Sequence, residues 1–307
     1  METINNRKID TAATTACIGT VICFSIGPIF IKLLTGYIDL WTQNLLRYLV
    51  ASLVWLPWLL FTIKKGRFER HIWQRAIWPA TVNILMQSLW AASFYYINPA
   101  FMSLLVKSSI IWIAGFSIIF FPEERPLAKS ARFWSGIFLS AIGVIGVIVF
   151  KKDFATTKTI TGIFLALSAA FGWAMYTITA KIAFKDIDSR KGFSVISIYT
   201  VAGLFVLALI FGRPGVAITM ALRPWVYVVI SALTAIAISH VLYYAAIKRI
   251  GATIPSLVLL ATPFTVLAGS YIVFGESLTG FQWLFGMVLL TGSGIAIWAQ
   301  QHLNKST

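Results

Sequence analysis

Acidic side chains are nearly missing from this chain: ten among 307 residues, against 25 lysines and arginines. Charge of either sign makes up only 11% of the sequence, less than half the quarter usual for a soluble domain. None of the ten acids (Glu2, Asp10, Asp39, Glu69, Glu123, Glu124, Asp153, Asp186, Asp188 and Glu276) falls inside a long apolar run. Cysteine is scarce as well. Cys17 and Cys23 share one expected helix, where six residues put them about 9 Å apart along the axis, too far to be bridged to each other. They read as small core residues. Metal-ligand spacings of Cys and His are missing, as are the phosphate-binding loop, the dinucleotide fingerprint and the GxSxG elbow. The sequence therefore gives no enzyme and calls for no cofactor and no metal.

Apolar sequence is what the chain has in abundance: 59% of its residues are hydrophobic, and the mean hydropathy is +0.84. Its apolar runs are near twenty residues, enough to cross about 30 Å of hydrocarbon at 1.5 Å per residue. The expected fold class is all-α integral membrane. Ten spans are expected, at about 12–34, 41–63, 74–96, 99–121, 130–150, 160–183, 193–211, 224–246, 252–274 and 279–300. Connections are too short for a soluble domain. Arg7 and Lys8 before the first run resemble a signal peptide, but the run continues to about Leu34 without a small-x-small cleavage site. It reads as a retained first membrane helix.

The net charge of +15 does not read as a nucleic-acid surface, because the basic residues sit in short loops between spans. On one side lie Arg7, Lys8, Lys64, Lys65, Arg67, Arg70, Arg75, Arg125, Lys129, Arg132, Lys181, Lys185, Arg190, Lys191, Lys248, Arg249 and Lys305, seventeen in all. The other side holds five: Lys151, Lys152, Lys158, Arg213 and Arg223. That bias places both termini in the cytoplasm.

The stretch Tyr244–Glu276, YAAIKRIGATIPSLVLLATPFTVLAGSYIVFGE, has a counterpart 153 residues earlier in Ala91–Glu123, AASFYYINPAFMSLLVKSSIIWIAGFSIIFFPE. Turns, apolar runs and terminal acids fall in register without a gap. A unit carried twice divides the chain into repeats, here 1–152 and 153–307, joined by the polar linker Lys151–Thr159. Five spans per repeat is odd, so the second copy enters the membrane from the opposite side. Such inverted repeats place a substrate site near the midplane between them.

Two five-helix halves, each with an apolar helix, a turn with Glu and a Gly-spaced last helix, resemble the drug/metabolite transporter superfamily, in its ten-helix EamA type. The residues that carry the resemblance are Ala91–Glu123 with Gly136, Gly143 and Gly146, and Tyr244–Glu276 with Gly286, Gly292 and Gly294. Phe24–Ser25 with Lys32, and Trp173–Ala174 with Lys181, echo one another in the first helix of each half. The resemblance implies secondary transport in a cell inner membrane, by a monomer or homodimer whose partners are the bilayer and a small molecule. The superfamily carries amino acids, sugars, nucleotide derivatives and drugs, so it does not name the substrate. Small multidrug pumps of this superfamily use a membrane-embedded glutamate to exchange protons for cationic drugs; this chain has none.

Three cations fall within spans: Lys32, Arg47 and Lys107. Lys107 is the sharpest signal, since a lysine near the bilayer centre costs roughly 2.5–3.5 kcal/mol. A water-filled cavity, carbonyls or an anion would offset that; snorkelling to the interface is the plainer reading. Its repeat mate is Leu260, so the lysine is no requirement common to both halves. Arg47, with Asn44 and Tyr48 nearby on the helical wheel, reads equally as cavity lining or interfacial anchor. Gln87 and His240 are repeat mates in the third and eighth spans. Trp90 follows Gln87, and Tyr243 follows His240, at i+3, and these four are expected to line a cavity. His240 titrates in the working range when unperturbed, which leaves proton coupling open beside a neutral, structurally bonded imidazole. Trp173 and Tyr176 are further candidates for substrate contact, although aromatics at such spacing more often pack. Pro28, Pro255 and Pro263 are candidates for gating, because proline breaks or kinks a helix. Trp41, Trp55, Trp58, Trp73, Trp78 and Trp298 read as interfacial belts, and the glycines as helix contacts.

Cations without counter-acids point to a substrate with a carboxylate or phosphate, or to an amino-acid-like zwitterion. A neutral aromatic cavity with Lys107 bonded to carbonyls would point instead to efflux of neutral aromatic compounds. A membrane assembly or lipid-handling component would have no central cavity.

Overall fold

The computed structural model describes residues 10–250 and 253–303. The Gly251–Ala252 turn, Arg7, Lys8 and Lys305 lie outside the described residues. Every regular element among those described is helical. In chain order they are α1 (Thr11–Leu34), α2 (Leu40–Lys64), α3 (His71–Ser93), α4 (Pro99–Leu105), α5 (Ser109–Phe120), α6 (Ala131–Val149), α7 (Thr157–Ala183), α8 (Ser189–Phe211), α9 (Val216–Thr219), α10 (Leu222–Ala232), α11 (Ser239–Ile250), α12 (Thr253–Val258), α13 (Thr262–Phe274) and α14 (Gly280–Leu303). Three of the expected spans are interrupted. A 3₁₀ turn, Val106–Ser108, joins α4 to α5, and another, Leu259–Ala261, joins α12 to α13. A π-helical segment, Leu233–Ile238, joins α10 to α11.

Helix starts follow local chemistry. Asp39 caps α2 by accepting from the Trp41 and Thr42 amides, and Ser130 and Thr156 cap α6 and α7 in the same way. Pro99 opens α4 from the first turn, where its missing N–H costs nothing. Gly275 ends α13 in the left-handed conformation, at φ 65°.

Nine helical stretches among the described residues are long and apolar enough to cross a membrane. The third expected span, α3, is 23 residues long. It carries Gln74, Arg75, Asn83 and Gln87, which lower its hydropathy below that of the others. Arg75, counted among the cytoplasmic cations, lies in its first turns. The outer faces of the bundle are apolar: Phe138, Phe164, Ile272 and Leu284 are all exposed, as hydrocarbon-facing side chains must be. Trp55 departs from the expected aromatic belt. It is buried between Trp58 and Phe193.

The tightest seam joins α6 to α14. A methyl group on Gly143 would lie 2.4 Å from the Leu289 backbone nitrogen, and one on Gly136 2.6 Å from the Ala296 nitrogen. A shift of 153 residues exchanges these two contacts, carrying 136 to 289 and 143 to 296. Ser140 meets its own repeat mate, Ser293, at 3.3 Å between hydroxyls. A local twofold relation between the repeats therefore runs through this seam. Gly286 and Gly294 have ordinary room, with nearest neighbours at 3.4 and 3.6 Å, so close approach does not require them.

Candidate functional site

The two 3₁₀ turns occupy repeat-equivalent positions, 106 and 259 being 153 apart, and they meet in the middle of the bundle. The ammonium of Lys107 donates to the Leu259 carbonyl at 3.0 Å. That carbonyl also accepts from the Thr262 hydroxyl at 2.7 Å. The Thr262 amide also bonds to this carbonyl, the i+3 pattern of a 3₁₀ turn, so Lys107 shares an acceptor that is already in use. Lys107 has three N–H donors, and this carbonyl takes one.

Arg47 is 2% exposed. It donates from Nε to Ser231 Oγ on α10 at 3.1 Å and from Nη1 to Asn44 Oδ1 at 3.4 Å. Asn44 in turn donates to the Gln87 carbonyl on α3 at 2.9 Å. A belt of polar groups thus ties α2 to both α3 and α10. Asn83, one turn from Gln87 on α3, lies 3.3 Å from the Tyr48 hydroxyl and 3.0 Å from that of Thr200 on α8.

These groups surround a central cavity of about 210 Å³. Lys107, Arg47, Gln87, His240, Trp90, Trp173, Tyr176 and Pro28 all line it. Phe24, Phe193, Asn83 and Met86 line it as well. Among the described residues the lining includes no carboxylate, and its charged members are Lys107 and Arg47.

His240 stacks on Phe193, centroids 4.5 Å apart, and meets Phe24 edge-on at 5.6 Å. Its Nδ1 lies 2.7 Å from the Ile236 carbonyl. A carbonyl only accepts, which assigns the hydrogen to Nδ1. Ile236 belongs to the π-helical segment, whose wider turn carries Ala235 and Ile236 to the cavity wall. A methyl group on Gly27 would lie 2.4 Å from Ala235 Cβ, so α1 passes this segment at close range just before Pro28.

Tyr243 is not brought to the cavity. Its hydroxyl lies 3.1 Å from Ser256 Oγ on α12. Pro255 is buried within α12, and Pro263 sits at the start of α13, facing a small apolar crevice with Phe264, Leu267 and Trp283. Neither proline lines the cavity.

Sequence reasoning missed Asn83, Met86, Phe24 and Phe193. A signal for two of them was present: Asn83, Met86, Gln87 and Trp90 are spaced i, i+3, i+4 and i+7 along one helix face.

Beyond the cavity, each end of the bundle carries a buried carboxylate. Glu276 accepts from the Ala100 and Phe101 amides at 2.8 and 3.0 Å and from Ser270 Oγ at 2.5 Å. Lys32 sits on the same turn, donating to the Phe94 and Ile97 carbonyls at 2.6 and 3.1 Å. At the other end Glu124 pairs with Lys181 at 2.5 Å and accepts from Gln300 at 2.6 Å. The Lys181 ammonium also lies 3.7 Å from the centroid of the Phe121 ring. Register made Glu123 the mate of Glu276, but Glu123 is exposed and Glu124 is buried. The 3₁₀ helix Pro122–Lys129 turns the second acid inward.

A multi-pass helical bundle with an apolar outer surface and a central, largely apolar cavity that carries two cations and, among the described residues, no carboxylate has the construction of a membrane transport protein. The chain belongs to the EamA-like transporter family, whose sequence model matches it twice, over residues 12–149 and 160–298. It is 28% identical over 202 residues to an uncharacterized transporter of Methanothermobacter thermautotrophicus. That match covers 64% of this chain and 56% of the archaeal protein, so the chain spans little more than half of that relative. A solved crystal structure superposes with a TM-score of 0.64 over 92% of this chain and 96% of the other, at 16% identity, a likeness of fold alone.

Proposed function

We propose that this transporter moves a small organic metabolite with an anionic or zwitterionic, amino-acid-like head across the cell inner membrane. The observation that carries this reading is the charge of the cavity wall. Lys107 and Arg47 line it, and among the described residues no carboxylate does. A substrate carboxylate would take the remaining Lys107 donors, while Trp90, Trp173 and Tyr176 flank its organic body. Arg47, held by Ser231 and Asn44, adds field rather than a mobile contact. The movement is alternating access between two inverted five-helix repeats, with α3 as a tenth span and both termini cytoplasmic. The double family match and the contacts exchanged by the 153-residue shift support the repeats. The boundary between 152 and 153 falls in the gap between the two matches. The protein works as a monomer or homodimer, as a uniporter or exchanger or with His240 carrying protons.

Efflux of neutral aromatic compounds is the second reading, favoured by the Lys107–Leu259 bond and the aromatic walls. Melting of the purified protein against anionic, zwitterionic, neutral and cationic metabolites separates the two. A ligand at 100 times its Kd stabilises by about 2.7 kcal/mol. Carboxylates or zwitterions that raise the melting temperature, and then counterflow in proteoliposomes, are the expected result. Stabilisation by neutral aromatics alone, undiminished in Lys107→Met, would replace the first reading with the second.

A further inference from the structure

The turn between α2 and α3 concentrates positive charge that the cavity does not use. Lys64, Lys65, Arg67, Arg70 and Arg75 fall within twelve residues, and all five are exposed. Gly66, at φ 66°, lets the chain reverse between the second lysine and the first arginine. The one acid in the turn, Glu69, is taken by Lys191 of α8, which reaches both carboxylate oxygens at 2.9 Å. That pair holds the Glu69 carboxyl below its usual range and withdraws it from its neighbours. Among the described residues, none of the five cations meets a carboxylate. Only Lys65 has a neighbour of note, the Phe61 ring at 4.4 Å. In the linker between α6 and α7, by contrast, Lys151 pairs with Asp153 at 2.6 Å.

The surface directly beside these cations is apolar. Leu60 and Phe61 are both 55% exposed, Ile77 53% and Trp78 65%. A row of free cations on the rim of a hydrocarbon-facing surface is where a lipid presents its phosphate. We propose that the α2–α3 turn is a binding surface for the head groups of anionic phospholipids, with their acyl chains against Phe61, Ile77 and Trp78. Dissolved phosphate offers the charge without the chain and should not bind there. Such attraction falls off within a Debye length and strengthens with each cation.

The test uses the full-length protein. Wild type in detergent is exchanged against equal amounts of phosphatidylglycerol and phosphatidylcholine, and the retained lipids are counted by native mass spectrometry. Phosphatidylglycerol should be retained preferentially. The fourfold variant Lys64→Gln, Lys65→Gln, Arg67→Gln, Arg70→Gln should lose that preference, by about fivefold for each charge removed at low salt. A variant with Lys151, Lys152 and Lys158 changed to Gln should keep it. Because removing loop cations also disturbs membrane insertion, wild type is labelled in parallel with a photoreactive phosphatidylglycerol and its peptides are mapped. Labelling centred on 60–78 supports the proposal. Equal retention by wild type and the fourfold variant, labelling spread evenly over both ends, or equal stabilisation by inorganic phosphate would overturn it.

Discussion

Lys107 and Arg47 look alike in the sequence, two cations inside apolar runs, yet their surroundings give them different work. Lys107 has one carbonyl partner and cavity on its other side. Lys107→Met should leave the melting temperature of the substrate-free protein nearly unchanged. It should weaken a carboxylate ligand by roughly tenfold to a hundredfold, the range for a hydrogen bond to a charged group, read by ligand titration. Arg47 is enclosed by Ser231 and Asn44. Ser231→Ala leaves its Nε without a partner, and should lower stability by about 1–3 kcal/mol with little effect on affinity. At this scale the sequence was readable where a polar residue interrupts an apolar run, as at Lys107, Arg47, Gln87 and His240. It was opaque where the wall is apolar, as at Phe24 and Phe193, because a cavity-lining phenylalanine and a packed one are the same letter. Tyr243 failed for a geometric reason. Its hydroxyl meets Ser256 on α12, whereas Trp90, at the same i+3 spacing from Gln87, faces the cavity.

Helices were the most legible elements, since run length and caps mark them, and α1, α2 and α6 fall within about a residue of expectation. Their internal breaks were not legible. Val106–Ser108 contains neither proline nor glycine, so nothing local announces the 3₁₀ turn. The π-helical segment is equally silent. Glycine gives a test at this level. Gly143→Ala must push α6 off the Leu289 backbone, and an overpacked seam costs about 1–3 kcal/mol. Gly115→Ala, with open space around it, should melt like wild type. Equal melting of the two variants would remove the α6–α14 seam from its place as the tightest contact.

Across the whole molecule, two buried carboxylates hold the ends of the bundle. Glu276, from the second repeat, binds the first turn of α4 in the first. Glu124, from the first repeat, binds Lys181 and Gln300 in the second. Under the proposed alternating access, each bond set loosens when its end opens. Glu276→Gln keeps the size and removes the charge. It should raise the reactivity of a cysteine placed at Ser103 toward a membrane-impermeant thiol reagent from the α4 N-terminal side, by several-fold, while Glu124→Gln should not. An unchanged rate in Glu276→Gln would make that carboxylate a fixed brace rather than a closure.

The contact of Ser140 with Ser293 has a consequence for how the chain came to be and how it can be taken apart. In a symmetric dimer, a residue on the axis touches its own copy, and every other contact occurs twice with the partners exchanged. The seam between α6 and α14 obeys that rule within one polypeptide. On the proposed division into repeats, the molecule is a pair of like halves joined by one peptide bond. Two separate genes, one ending at Lys152 and the other beginning at Asp153, should yield halves that find each other in the membrane.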